Sequence, residues 1–206
     1  MNSRNHILAR VRRNQPPWRA LPEIPSFDRP LGDPWAAFAS ALARMGGSVA
    51  VPPEGTALDA FIRARFPQAA VICSATPEVA GTRSVSTVRH PAELDDVDVG
   101  AVRAAFGVAE TGSVWLSERE FGVNALGFLS QHLVVLLDPR AIVADLHHAY
   151  RHPGFNEARY AVFMTGPSAT ADIEGVLVRG AQGIRTMTVV PVAAVGAASG
   201  IQGRTS

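Results

Sequence analysis

Short, almost unbroken apolar runs recur along this chain at residues 48–51, 69–73, 133–137, 160–164 and 187–192, separated by stretches in which apolar residues return every three to four positions. A run with no polar position suits a strand covered on both faces, and the intervening period suits amphipathic helices. The spacing predicts helices over residues 5–13, 35–45 and 58–66, one or two helical turns over 124–130, and a helix from Pro139 to about Arg151. Asp33 offers an N-cap to the second of these, with Pro34 at the first helical position and Gly46-Gly47 as its stop. Residues 99–109 fit either period, and the turn at Thr111-Gly112-Ser113 followed by Val114-Trp115-Leu116 favours a strand. Residues 74–91 are turn-rich and predict loops. Alternating units of this size predict an α/β layered fold with one mainly parallel sheet and helices on both faces, containing all five apolar runs.

Ahead of this pattern lies a segment of another kind. Ile7, Leu8 and Val11 share one helical face among Arg4, Arg10, Arg12 and Arg13, and six prolines then punctuate residues 16–34. Fixed φ and missing donors make that stretch an extended arm, with Trp18 and Phe27 as its anchors to another chain. The organisation expected is an arm at 1–34 and a single domain at 35–206, its tail from Gly196 small, polar and frayed.

Composition narrows the function. A net charge of +1 lacks the concentrated basic face that nucleic acid requires. No apolar run is long enough to span a bilayer. All nineteen basic residues are Arg, so neither a Schiff-base lysine nor a Walker lysine is present. Cys73 is the only cysteine, which rules out an internal disulfide or a thiolate-held cluster built from this chain and fits a reducing cytoplasm. The histidines at 147, 148 and 152 lack the companions of a metal set, and no metal site is expected.

Two polar knots remain. In Gly107-Val108-Ala109-Glu110-Thr111-Gly112-Ser113 a carboxylate and two hydroxyls flank a turn glycine. Glu110 suits a base, a nucleophile or a hydrogen-bond acceptor, and equally an exposed turn residue. In Gly166-Pro167-Ser168-Ala169-Thr170-Ala171-Asp172-Ile173-Glu174 the hydroxyls precede a predicted helical turn. They could cradle an anion, or the carboxylates could merely cap the helix. Because that knot follows an apolar run, it is expected at the C-terminal edge of the sheet, where open α/β sheets bind ligands. Glu110, Thr111, Gly112, Gly166, Ser168, Thr170, Asp172 and Glu174 are the candidate ligand-binding residues, with Glu110 the candidate catalytic group, all expected to face one pocket.

The two knots in this order, followed by Gly180-Ala181-Gln182-Gly183, resemble the LUD-domain family of lactate-utilisation protein C (LutC) from about residue 35 to residue 192. The basic helix and Pro-rich arm look like that family too. The resemblance implies a three-layer α/β/α sandwich akin to ribose-5-phosphate isomerase and CoA transferases. It further implies a bacterial cytoplasmic protein acting with LutA-like and LutB-like iron-sulfur proteins in oxidation of L-lactate to pyruvate. The clusters would reside in the partners, leaving this chain accessory or ligand-binding toward a small anionic metabolite. Two alternatives follow from other classes: a stand-alone CoA transferase- or ligase-like enzyme using the Glu110 carboxylate, and a non-catalytic structural adaptor. Where relatives commonly carry His and Pro, this chain has Gln182 and Ile184, and Gln182 cannot titrate near neutral pH.

Overall fold

A computed structural model describes residues 3–25, 31–173 and 175–193. In chain order the elements are α1 (Ser3–Arg13), α2 (Pro34–Arg44), β1 (Ser48–Val49), α3 (Leu58–Arg65), β2 (Ile72–Ser74), β3 (Arg83–Ser84), β4 (Val99–Arg103), β5 (Phe106–Val108) and β6 (Ser113–Ser117). There follow α4 (Glu118–Phe121), α5 (Leu126–Leu129), β7 (His132–Leu137), β8 (Ile142–Val143), α6 (Leu146–Tyr150), α7 (Pro153–Glu157), β9 (Ala161–Met164), β10 (Ala169–Ile173), β11 (Val176–Arg179) and β12 (Thr186–Pro191). The fold is mixed α/β with a central sheet of six strands in the order β1-β12-β7-β4-β2-β3, every pair parallel.

The apolar runs are explained by what covers the two faces of that sheet. Strand side chains alternate between faces. Cys73, Val102, Leu133, Val135, Leu137, Met187 and Val189 point to one side, where they meet Phe38 and Leu42 of α2, Phe121 and Leu126 of α4 and α5, and Val114 and Leu116 of β6. Ile72, Val99, Ala101, Val134, Leu136 and Val190 point to the other, under Ile62 and Phe61 of α3. β7 is central and covered twice, so residues 133–137 are all buried and no polar position is tolerated. At roughly 1.5–3 kcal/mol per buried aliphatic side chain, this strand is a principal source of stability. The start of α2 follows its sequence: the Asp33 carboxylate accepts the Trp35 N–H at 2.9 Å, with Pro34 at the first helical position.

A second sheet, in the order β8-β5-β6-β9, grows out of the first. β5 follows β4 and β8 follows β7 after only short links, and β5 and β8 pair in parallel as their parent strands do. Residues 99–109 are thus two strands rather than one. The Ala104 N–H still bonds to Leu136 O of the central sheet, while the Ala105 N–H bonds to Trp115 O of β6. Residues 160–164 also depart from expectation, because β9 pairs antiparallel with β6 in this second sheet. Val162 and Met164 pack on the inner core and Phe163 on an outer cluster with Phe106, Trp115 and Phe155, so the run is covered twice by different layers. An apolar run reports two-sided cover, not which sheet provides it.

Two further expectations are corrected. The helix expected from Pro139 begins only at Leu146, after a 3-10 turn and β8, because Asp145 caps it by accepting the His148 N–H. Residues 169–173 form not a helical turn but one arm of the β10-β11 hairpin, so a helix-capping role for this knot does not apply. The tail expected to fray, Phe27 and Glu174 lie outside the described residues.

Helix α1 has no buried residue, and Trp18 and Leu21 are 87% and 90% exposed. Removing residues 1–25 is therefore expected to shift the thermal midpoint by less than about 2 °C, since no core contact is lost. A fall of about 10 °C in a melting scan would show that the segment packs as core. Among the described residues, no helix is long and apolar enough to cross a membrane.

Candidate functional site

The first knot is the β5-β6 connection, whose tightness comes from Gly112. Its φ of +67° lets the Gly112 N–H bond back to Val108 O at 2.9 Å, and a Cβ there would lie 2.1 Å from the Leu42 nitrogen of α2. The turn is stitched to the chain after β8 by Ala109 N–H to Val143 O and Glu110 N–H to Ala144 O. Exposed Glu110 turns its carboxylate to the start of α6, accepting the Leu146 N–H at 3.3 Å. The Thr111 hydroxyl is buried and has no hydrogen-bond partner among the described residues. An orphaned group of this kind costs about 1–3 kcal/mol, so its presence calls for a reason.

The second knot begins against the first. The Thr165 hydroxyl lies 3.3 Å from Thr111 O and 3.1 Å from Gly112 O and donates to this carbonyl pair. Gly166, at φ +66°, leaves no room for a side chain over Met45 O and Gly47 N. The structure thus brings Thr111, Gly112 and Gly166 together on the C-terminal half of α2. It then leads the second knot away: Ser168 is exposed beside Gly183, its carbonyl accepting the Gly180 N–H at 2.7 Å. Half-buried Thr170 pairs with Val178 across the hairpin, and Arg179 donates to Arg44 O, tying the hairpin to the end of α2. Asp172 is a residue of β10. The Glu110 carboxylate and Ser168 therefore have different immediate neighbours. Of the two departures noted in the sequence, Gln182 is exposed and Ile184 is buried in the inner core.

Sequence reasoning missed a second constellation, which topology reveals. After β2 the chain moves outward to β3, and after β4 it moves the opposite way to β7, so a crevice opens between the C-terminal ends of β2 and β4. Arg103 ends β4, and its Nε lies 2.5 Å from Glu78 Oε1, both side chains about four-fifths buried. The other Glu78 oxygen accepts the Thr76 hydroxyl, and Arg103 Nη2 donates to Ala193 O at 2.9 Å. Burial pushes the Glu78 carboxyl up, but the hydrogen bonds from Thr76 and Arg103 outweigh it and hold the group below its ordinary value. A cleft of about 360 Å³ adjoins, lined by Ser74, Thr76, Pro77, Ser84 and Ser86 among others. Burial raises the neighbouring Cys73 thiol more than Arg83 lowers it, so this cysteine is a core residue and no nucleophile. The signal available in the sequence was Ser74-Ala75-Thr76-Pro77-Glu78, a polar cluster directly after an apolar run. Among the described residues no group of three or more His, Cys, Asp or Glu is placed to hold a metal.

Comparison with known proteins agrees with this architecture. The LUD domain family model matches residues 82–192, more than half of the chain and both polar knots. A curated relative, lactate utilization protein C of Deinococcus radiodurans, is 31% identical over 104 residues, covering 49% of each chain. The matched segment spans about half the length of that relative. A crystal structure of a DUF162 family protein, also from Deinococcus radiodurans, superposes with a TM-score of 0.61 at 18% identity over 80% of this chain and all of that one. At that identity the likeness is one of fold.

Proposed function

Since the chain belongs to the LUD-domain family, we propose that it is a LutC-like component of an L-lactate utilisation system, ligand-binding rather than redox-active by itself. The relative named lactate utilization protein C supports the system. Oxidation of L-lactate to pyruvate releases two electrons and two protons. A chain whose only cysteine is buried offers no thiolate set to carry the electrons, so in this reading they pass through LutA-like and LutB-like iron-sulfur partners in the cytoplasm.

The observation that carries a ligand role is the orphaned Thr111 hydroxyl at the meeting point of the two family motifs. Natural sequences retain such a cost where a ligand, a water or a partner uses the group. In this proposal Glu110, Thr111, Gly112, Gly166, Ser168 and Thr170 line the surface that a small anionic metabolite meets, and Asp172 and Glu174 remain candidates from the same motif. A transferase reading, in which Glu110 attacks a substrate, needs that carboxylate released from the Leu146 N–H.

Thr111→Val separates stability from function. Replacing an unpartnered hydroxyl by a methyl of the same shape is expected to raise stability by about 1 kcal/mol in urea denaturation. Growth on L-lactate of a strain relying on this variant is expected to fall severalfold, with loss of any iron-sulfur proteins that co-purify with the wild-type chain. Unchanged growth together with the stability gain would remove the motif junction as a site.

A further inference from the structure

The edge of the central sheet opposite the crevice carries a second cleft, of about 320 Å³, walled by the residues that enter the strands. Its sides are Arg65, the last residue of α3, with Phe66 to Ala69 after it, Asp98 before β4, Gln131 and His132 at the start of β7, and Arg185 before β12. Two arginines line it, and neither forms an ion pair with a carboxylate among the described residues. Among the described residues Arg65 donates to neutral hydroxyls alone, Thr188 Oγ1 and Ser48 Oγ, each at 3.3 Å. Arg185 uses its backbone N–H on Gln131 O, and its guanidinium has no hydrogen bond or ion pair among the described residues. The Gln68 and Gln131 amides add further donors.

The one acidic wall is already occupied. Asp98 Oδ2 accepts the Ala70 and Val71 N–H groups at 2.7 and 2.9 Å, which spreads its charge into the backbone at the start of β2. His132 is fixed on two sides, with its ring stacked on Phe66 at 4.7 Å between centroids and its Nδ1 2.8 Å from the Thr186 hydroxyl. Burial, and then the nearby Arg185 charge, lower its pKa, so the ring is neutral at neutral pH and Nε2 is left as a hydrogen-bonding group. The formal charge of the cleft is thus two Arg against one Asp, a surplus of +1 held on preorganised walls. A guanidinium fork recognises a planar or tetrahedral oxyanion bidentately.

We propose that this cleft is a binding site for a small oxyanion, a carboxylate or a phosphate group carried by a compact metabolite, separate from the motif junction and from the β2-β4 crevice. Arg185 supplies the free fork. Arg65, oriented by Ser48 and Thr188, supplies the second charge, and the Phe66-His132 stack forms the floor. Because Arg65 also bridges β1 and β12 through those hydroxyls, an occupant is coupled to the edge of the sheet, and binding should stabilise the fold by mass action.

The test is a titration of the full chain with inorganic phosphate and, separately, with acetate, followed by amide NMR shifts and by the thermal midpoint. Saturable shifts centred on Gln131, His132 and Arg185 are expected, with half-saturation on the order of 1–10 mM for so small a probe. A response to phosphate alone identifies the occupant as a phosphorylated metabolite, and a response to acetate alone identifies a carboxylate. Arg185→Gln, which removes no internal hydrogen bond, is expected to weaken binding on the order of tenfold without lowering the midpoint of the unliganded protein, and Arg185→Lys to weaken it less. Shifts spread over the whole surface without saturation, no response to either anion, or equal affinity in Arg185→Gln would overturn the proposal.

Discussion

Gly112→Ala is expected to remove about 4 kcal/mol or more of folding stability, much of what a domain of this size possesses. Two causes add. The backbone sits at φ +67°, a conformation costing roughly 1–2 kcal/mol for a residue with a side chain. The new methyl would also lie 2.1 Å from Leu42 N and 2.6 Å from Ala41 C, and these are helix backbone atoms that cannot step aside. Gly55 provides the control, because its φ is +74° while nothing lies within 4 Å of its missing Cβ. Gly55→Ala should therefore cost the conformational part alone. Denaturant midpoints of the two variants separate the terms, and equal losses would show that the contact with α2 is not tight.

Arg103→Ala is expected to be next in size, at about 2–3 kcal/mol. Removing one partner of a mostly buried pair leaves the other charge unmet, with some relief here because a fifth of each side chain reaches solvent. The loss should depend on pH in a definite direction. Glu78 has a folded-state pKa below the ordinary 4.5, so its contribution is fully present above that value and disappears as pH falls through the lower, folded one. Wild type should thus lose this stability only in acid below about pH 4.5, where the carboxyl protonates. Arg103→Ala, already without most of it, should give a flatter curve over the same window. Parallel curves from pH 7 to pH 3 would show that Arg103 does not hold the Glu78 charge.

How far the sequence discloses this molecule varies by element, for physical reasons. Residues 133–137 declare themselves because a strand buried on both faces leaves no polar position, and residues 187–190 do so with one exception, Thr188, whose buried hydroxyl accepts from Arg65. The same logic misplaces residues 160–164, since Phe163 and Val162 are also covered on opposite sides, but within another sheet. The break at Ala104-Ala105 is silent, because both residues are small and apolar and only the hydrogen-bond partner changes. The motif residues are visible as polar interruptions, and the glycines mark where backbone approaches backbone. The neighbours that give these positions meaning, Leu42, Met45 and Leu146, are ordinary residues far away in sequence. Glu78 and Arg103 escape for a related reason. They meet only because β2 and β4 are adjacent in the sheet, and adjacency of parallel strands leaves no local mark.

The strand order also governs how the protein can be made. Among the described strands β1 pairs with β12 alone, through Ser48 with Thr188 and Val49 with Val189, and β12 in turn lies between β1 and β7. A nascent chain therefore carries residues 48–49 out of the ribosome long before their partner exists, while the flank of β7 that β12 will occupy stays bare. Until residues 186–191 emerge, that flank is a template of unpaired N–H and C=O groups on an apolar strand, the kind of edge on which chains join one another. Closure of the central sheet therefore waits for β12, and mispairing is expected to be most probable in the interval between translation of β7 and of β12.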